Sequence, residues 1–126
     1  MTAEIVAVLA PVLISSFLVG ALAYPMYKRQ VRPNRLYGLR TRATLADPEV
    51  WYEANMRSGR DAMIWSTGTA LLALGLAPFG SRLGVGWYAG ICLGASTVGL
   101  LVAAAWGADR ADRLLALCQR GEWPPR

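Results

Sequence analysis

Histidine is missing from the 126-residue chain, and cysteine occurs only twice. The absence of histidine removes the most common metal ligand and the most common general base. Cys92 lies in a long apolar run and Cys118 in the polar tail, so we expect two free thiols. The chain also lacks a Cys-x-x-Cys pair, a Gly-x-Ser-x-Gly turn and a phosphate-binding loop. The sequence therefore predicts no catalytic residue, no metal site and no cofactor, in a protein that is not an enzyme.

Charged residues are scarce as well, at 17% of the chain against 55% hydrophobic residues. The uncharged residues form three long apolar runs, at 5–27, 62–79 and 85–108. As helices these runs have the length needed to cross about 30 Å of hydrocarbon. Only residues 80–84 separate the second run from the third, which predicts a tight antiparallel hairpin. We expect one all-α domain over residues 1–126, a polytopic membrane protein with three transmembrane helices.

The 13 lysine and arginine residues are distributed very unequally around these runs. Eight lie in the 28–61 loop, four in the 109–126 tail and only one, Arg82, in the 80–84 turn. Because basic residues close to a span resist translocation, the distribution predicts a cytoplasmic loop and tail and an external N-terminus. The same residues are expected to contact anionic lipid of the inner leaflet. No nucleic-acid-binding motif accompanies them, so we expect no nucleic acid partner.

The three apolar runs contain no Asp, Glu, Lys or Arg, so the usual marker of an ion or proton pathway is missing. Small residues recur at a spacing of four in the third run, a pattern that lets helix backbones approach closely in lipid. We favour packing of this face against the other two spans over a contact between two copies of the chain. The predicted packing residues are Gly86, Gly90, Gly94, Gly99 and Ala103.

Hydroxyl side chains also occur in the first two runs. Their simplest role is to bond carbonyls of their own helix or of a neighbouring helix. The alternative is a polar binding groove. These residues are Ser15, Ser16, Ser66, Thr67 and Thr69.

The 28–61 loop is too apolar and too well punctuated for a disordered linker. The run Asp47-Pro48-Glu49 is typical of a helix start, with an N-cap, a proline at the first helical position and an acidic first turn. This helix either breaks at Ser58 and Gly59 or continues into the second span. Its face containing Trp51 lies against the membrane or against a folded 34–41 turn. We favour an interfacial helix anchored by the tryptophan.

The same loop resembles a known family in three segments: Pro33-Asn34-Arg35-Leu36-Tyr37-Gly38-Leu39-Arg40-Thr41, then Thr44-Leu45 with Asp47-Pro48-Glu49-Val50-Trp51, and Asn55. These segments resemble the SdpI family of bacterial membrane proteins. The resemblance implies a protein of the bacterial cytoplasmic membrane that protects its cell from a membrane-directed peptide toxin. In the family's best-known member it also implies capture of a cytoplasmic transcriptional repressor at the membrane.

The resemblance places the binding residues in the loop, at Asn34, Arg35, Gly38, Arg40, Thr41, Trp51 and Asn55. On physical grounds, Asn34 after Pro33 suits a turn capped by its own side chain, and Gly38 supplies any positive φ. The guanidinium of Arg40 suits a backbone carbonyl, a carboxylate such as that of Glu49, or a lipid phosphate. Arg29 is expected to be a generic inside charge whose loss has little effect.

Three functions are compatible with these residues. The first is a non-catalytic immunity or toxin-resistance factor, which could also bind a cytoplasmic regulator. The alternative is a small accessory or interaction subunit of a larger membrane complex. The third, an enzyme or transporter acting on lipid, would have to use Asn34, Arg40, Asp47, Glu49 and Asp61. We favour the first, with a peptide toxin, a regulator or a larger membrane complex as possible partners.

Overall fold

The computed structural model describes residues 1–123, and every regular element within them is helical. Three of the helices are long and apolar enough to cross a bilayer, which confirms the expected all-α architecture with three spans. The elements are α1 (Ala3–Tyr27), α2 (Arg42–Ala46), α3 (Pro48–Leu76), a 3₁₀ turn (Ala77–Phe79), α4 (Gly80–Leu83) and α5 (Val85–Gln119).

Helix α3 is the centre of the bundle, because α1 packs along one side of it and α5 along another. At the loop end α1 and α3 come so close that a Cβ at Gly59 would lie 2.7 Å from the carbonyl oxygen of Ala23. Direct contact between α1 and α5 is much smaller than the contact of either helix with α3. A cleft therefore runs between α1 and α5, with α3 as its floor.

The predicted hairpin of the second and third spans is confirmed. The 3₁₀ turn and α4 reverse the chain, and Gly84 at φ +85° starts α5, a conformation that L side chains rarely adopt. Two hydrogen bonds fix the antiparallel register: the Tyr88 hydroxyl donates to the carbonyl of Ala73 at 3.0 Å, and the Trp65 indole to that of Ala95 at 3.2 Å.

Two helix boundaries differ from the expected ones. Helix α3 begins at Pro48 and continues without a break through Ser58 and Gly59, where close packing against α1 supports it. The 48–59 segment is therefore continuous with the second span, which is the second of the two alternatives given for this helix, and its position at the membrane interface stays a prediction. Helix α5 likewise continues past Ala108 to Gln119. Both extensions lie at the loop end of the bundle and pack against the loop.

The buried apolar residues form one cluster at each end of the bundle. The cluster at the turn end comprises Ile5, Leu9, Val12, Ala73, Ala77, Tyr88 and Cys92. The cluster at the loop end comprises Ala43, Val50, Ala54, Ala111 and Leu114. Between them, large apolar side chains such as those of Phe17 and Leu101 point outward, as expected for helices surrounded by lipid. Both cysteines are free, as predicted.

Candidate functional site

The loop, α2, the 48–59 part of α3 and the 107–119 part of α5 fold together into a unit that we call the cap. Its core is the loop-end cluster, in which Ala43 of α2 and Val50 of α3 pack against Ala111 and Leu114 of α5. All seven residues that the sequence placed in the binding loop belong to the cap. The structure brings them together around the 31–41 segment.

Asn34 forms the turn that its position after Pro33 predicts. Its side-chain oxygen accepts the backbone N–H groups of Leu36 and Tyr37 at 2.8 and 2.7 Å. Its side-chain nitrogen donates to the carbonyl of Arg32 at 2.8 Å. A single asparagine side chain thus organises the tip of the loop, as Asn does in Asx turns.

Asn55 fastens the loop to α3. Its side-chain oxygen accepts the N–H of Leu39 at 2.6 Å, and its side-chain nitrogen donates to the carbonyl of Trp51 at 3.0 Å. Gly38 permits this contact in two ways: its φ is +106°, and a Cβ there would lie 2.5 Å from the Asn55 oxygen. Asn55 is 1% exposed, so its amide supplies hydrogen bonds that water cannot reach.

Trp51 faces the folded loop and not the membrane. Its side chain is fully buried, and the indole N–H donates to the carbonyl of Val31 at 2.9 Å. The favoured interpretation of Trp51 as an interfacial anchor is therefore wrong, and the alternative of packing against the loop is correct. The physical reason is the continuous α3, which turns this face inward beneath the 31–41 segment.

The loop ends in a capping box that starts α2. The Thr41 side chain accepts the N–H of Thr44, and the Thr44 hydroxyl accepts the N–H of Thr41. The Thr44 hydroxyl also donates to the carbonyl of Leu39 at 2.9 Å. Asp47 then caps α3 by accepting the N–H of Glu49 at 2.8 Å, which confirms the helix start expected at Pro48.

Arg35, Leu36 and Arg40 point outward from this fixed framework, and we call them the tip residues. The Arg40 guanidinium donates to the carbonyl of Arg35, the first of the three partners considered for it, and makes no ion pair with Glu49. Leu36 is 93% exposed, the most exposed large apolar side chain of the described chain. The turn therefore presents one leucine between two arginines.

Sequence reasoning missed the buried carboxylate of the cap, Glu53, whose side chain is only 6% exposed. It accepts hydrogen bonds from Arg57, at 2.7 Å and four residues along α3, and from Arg29, which follows α1. The Glu53–Arg57 spacing is a signal that could have identified the pair. A second carboxylate, Asp61, joins α3 to Arg110 of α5. Arg29 is thus a structural partner, and the expectation that it is a generic charge is wrong.

Arg29 also has an unusual backbone. It lies at φ +57°, the one non-glycine residue of the described chain with a positive φ. The N–H groups of Arg29 and Gln30 donate to the carbonyls of Met26 and Pro25, a helix end at which glycine is the usual residue. With this backbone conformation Arg29 ends α1, and its side chain contacts Glu53.

Replacing Arg29 with alanine is expected to lower the free energy of unfolding by about 1.5 kcal/mol, because Glu53 stays buried with one partner fewer. Arg29→Gly should lower the free energy of unfolding by only about 1 kcal/mol, since glycine adopts the positive φ without strain. Thermal unfolding in detergent followed by tryptophan fluorescence measures both. The control is Arg32→Ala, an exposed arginine of the same loop. Equal stability of Arg29→Ala and Arg32→Ala would show that the ion pair contributes nothing.

The predicted packing face of the third span requires a correction. At Gly86, Gly90 and Gly94 nothing lies within 4 Å of the position that a Cβ would take, so this row packs against no other part of the described chain. Gly99 is different, because a Cβ there would lie 1.1 Å from the indole nitrogen of Trp65. Ala103 lines the cleft between α1 and α5. The helix contact therefore uses Gly99, and the glycine row before it faces outward.

Burial raises the pKa of two groups in the cap. The Tyr37 hydroxyl is buried without a hydrogen-bond partner in the described chain, and burial raises its pKa. Burial also raises the pKa of the Cys118 thiol, and the nearby Asp47 and Glu49 carboxylates raise it further. Within residues 1–123 no three His, Cys, Asp or Glu side chains gather as metal ligands do. The exposed side chains at the tip of the 31–41 segment are guanidinium groups and one leucine, Leu36, which suits recognition.

Three membrane-length helices and a folded cap define a helical multi-pass membrane protein. The family model of the SdpI/YfhL protein family matches residues 30–108, more than half of the chain. The chain therefore belongs to the SdpI/YfhL family, which confirms the resemblance found in the loop. The matched range includes all seven predicted loop residues. No curated protein and no solved structure matches the chain significantly.

Proposed function

We propose that the protein is a non-catalytic immunity or toxin-resistance factor of the bacterial cytoplasmic membrane, and that the tip residues form its recognition surface. One observation carries the proposal: some residues of the family-like loop segments fasten the loop, and others project from it into solvent. Asn34, Asn55 and Trp51 hold the loop, while Arg35, Leu36 and Arg40 extend from it. A loop that only connected two helices would not need these fastening contacts.

The exposure of Leu36 supports a recognition role. Burying a leucine against a partner contributes about 1.5–3 kcal/mol, and a locked turn gives that gain without an ordering cost. The two flanking arginines favour a partner that is anionic or rich in carbonyl groups. The partner we propose is the peptide toxin at the membrane surface, with anionic lipid of the inner leaflet as the surrounding contact. A cytoplasmic regulator would meet the same surface.

The orientation that this proposal needs is an external turn end and a cytoplasmic cap. Twelve of the 13 basic residues lie in the 28–61 loop and the 109–126 tail, and this distribution supports a cytoplasmic cap. We expect Ser81→Cys to react with a membrane-impermeant thiol reagent in whole cells and Ala46→Cys to react only after lysis. Cys118→Ser provides the background, since Cys118 is in the cap. Labelling of Ala46→Cys in intact cells with no labelling of Ser81→Cys would reverse the topology.

Survival of cells challenged with the killing peptide of the family's best-known member tests the function. We expect the wild-type chain to protect, and Leu36→Ala combined with Arg40→Ala to reduce protection at least tenfold with normal membrane insertion. The matched control is Leu45→Ala combined with Arg42→Ala, an exposed leucine and arginine on α2. Lack of protection by the wild-type chain would contradict the immunity role. Full protection by the tip variant would place recognition elsewhere.

A second candidate function is that of an accessory subunit in a larger membrane assembly. The observation that favours it is the outward row of Gly86, Gly90 and Gly94, which leaves room for a helix of another chain. Purification in mild detergent tests it: a partner chain should co-purify with the wild type and be lost from Gly90→Leu. Recovery of the same partners with Gly90→Leu would count against this role.

A further inference from the structure

An open groove runs between α1 and α3, beside the line along which the two helices touch. Its volume is about 480 Å³, and residues of both helices line it. The small residues Gly20, Ala21 and Ala70 leave this space free, and the larger side chains of Phe17 and Met63 border it. The groove is therefore formed by residue size, where small residues of α1 and α3 meet.

The length and the lining of the groove match one leaflet of a bilayer. From Leu13 to Tyr24 it extends about 16 Å along α1, at 1.5 Å per residue. That length is about half of the 30 Å hydrocarbon core. The lining is mostly apolar, and the Ser66 hydroxyl within it already donates to the carbonyl of Met63 at 3.1 Å. A groove of this kind suits an acyl chain.

Two basic residues lie at the loop end of the groove, one on each helix. Lys28 follows Tyr24 by one helical turn, and its Nζ lies 5.7 Å from the centroid of the Tyr24 ring. Arg60 precedes Met63 by about one turn and shares its face of α3. Both basic residues are exposed. The apolar groove therefore ends between two cations.

The carboxylates at this end of α3 do not neutralise the mouth of the groove, because each is already shared by two arginines. They are Glu53, with Arg29 and Arg57, and Asp61, with Arg60 and Arg110. Within residues 1–123, Lys28 takes part in no ion pair, and its ammonium lies beside the rings of Tyr24 and Tyr27. The loop end of the groove therefore carries an excess of positive charge.

We propose that this groove binds one anionic phospholipid, with an acyl chain between α1 and α3 and the phosphate between Lys28 and Arg60. Basic pockets between membrane helices are typical sites for anionic head groups. An ammonium and a guanidinium both donate charge-assisted hydrogen bonds to phosphate oxygens. A zwitterionic lipid has the same acyl chains, but its own cationic group would oppose the charge at the mouth. The tip residues take no part in this site, so it does not depend on the immunity role.

Native mass spectrometry of the full chain, released from nanodiscs with equal amounts of phosphatidylglycerol and phosphatidylethanolamine, tests the charge preference. One cation near an anionic head group contributes about fivefold, so we expect the wild type to retain phosphatidylglycerol about 25-fold over phosphatidylethanolamine. Lys28→Ala should lower this preference to about fivefold. Arg32→Ala, which removes an exposed charge elsewhere in the loop, should leave it unchanged. Equal retention of both lipids by the wild type would overturn the proposal, as would an unchanged preference in Lys28→Ala.

A bulky side chain in the groove tests the position of the acyl chain. Ala21 is exposed and lines the groove, so Ala21→Phe fills it without entering the contact between helices. We expect the phosphatidylglycerol retained in the same measurement to fall about fivefold, because the chain loses apolar contact. Ala7→Phe makes the same change at an exposed alanine of α1 outside the groove, and should retain as much lipid as the wild type. Equal retention by the two variants would contradict binding in this groove.

Discussion

Replacing Gly99 with alanine is expected to lower the free energy of unfolding by about 3 kcal/mol. The new Cβ would lie 1.1 Å from the Trp65 indole nitrogen. Because the indole is rigid, it must leave its position and lose the hydrogen bond to the Ala95 carbonyl. The α3–α5 contact would then separate at its centre. Unfolding in a mixed detergent, followed by tryptophan fluorescence, measures the loss.

Gly90→Ala is the matched control, since it adds the same methyl group to the same helix. Nothing lies within 4 Å of the Cβ position at Gly90, so we expect no loss of stability from this change. A helix interior even favours alanine over glycine by about 0.5–1 kcal/mol in water. Equal effects of Gly99→Ala and Gly90→Ala would show that the Trp65 contact is not the reason for glycine at position 99.

The two glycines illustrate what the sequence could and could not predict about packing. The spacing of small residues correctly indicated that the third span packs closely against a neighbour. Residues four apart drift around an α-helix, however, so a long row of them cannot all face the same neighbour. Which of them meets a neighbour depends on the register of α3 against α5, set by Tyr88 and Trp65. Neither aromatic side chain carries a sequence signal for its partner, since each bonds a backbone carbonyl.

The cap shows a similar division. Helix starts and local turns were predictable at Asp47 and Asn34, because both use side chains that bond the backbone two or three residues away. Contacts between residues far apart in the sequence were not predictable. Examples are the hydrogen bond from Trp51 to the carbonyl of Val31 and the ion pair of Arg29 with Glu53. The family resemblance named Trp51 and Asn55 as important. The structure adds the physical reason, which is that both fasten the loop to α3.

Asn55→Ala is expected to release the loop while the three long helices stay packed. The substitution removes the acceptor of the Leu39 N–H, held at 2.6 Å, and the donor that reaches the carbonyl of Trp51. An unsatisfied buried group costs about 1–3 kcal/mol, and we expect a loss of about 3 kcal/mol for the folded cap. That loss raises the open fraction of the loop by about two orders of magnitude, at 1.4 kcal/mol for each factor of ten.

Limited trypsin digestion measures this opening, because the exposed Arg35 and Arg40 become substrates only when the loop leaves its locked shape. We expect cleavage after these arginines to accelerate about 100-fold in Asn55→Ala. Asn34→Ala, which loses only the local turn, should accelerate it about tenfold. Leu45→Ala, an exposed change on α2, should leave the rate unchanged. If Asn55→Ala is cleaved as slowly as Leu45→Ala, the loop does not depend on Asn55, and the division into residues that fasten the loop and exposed tip residues fails.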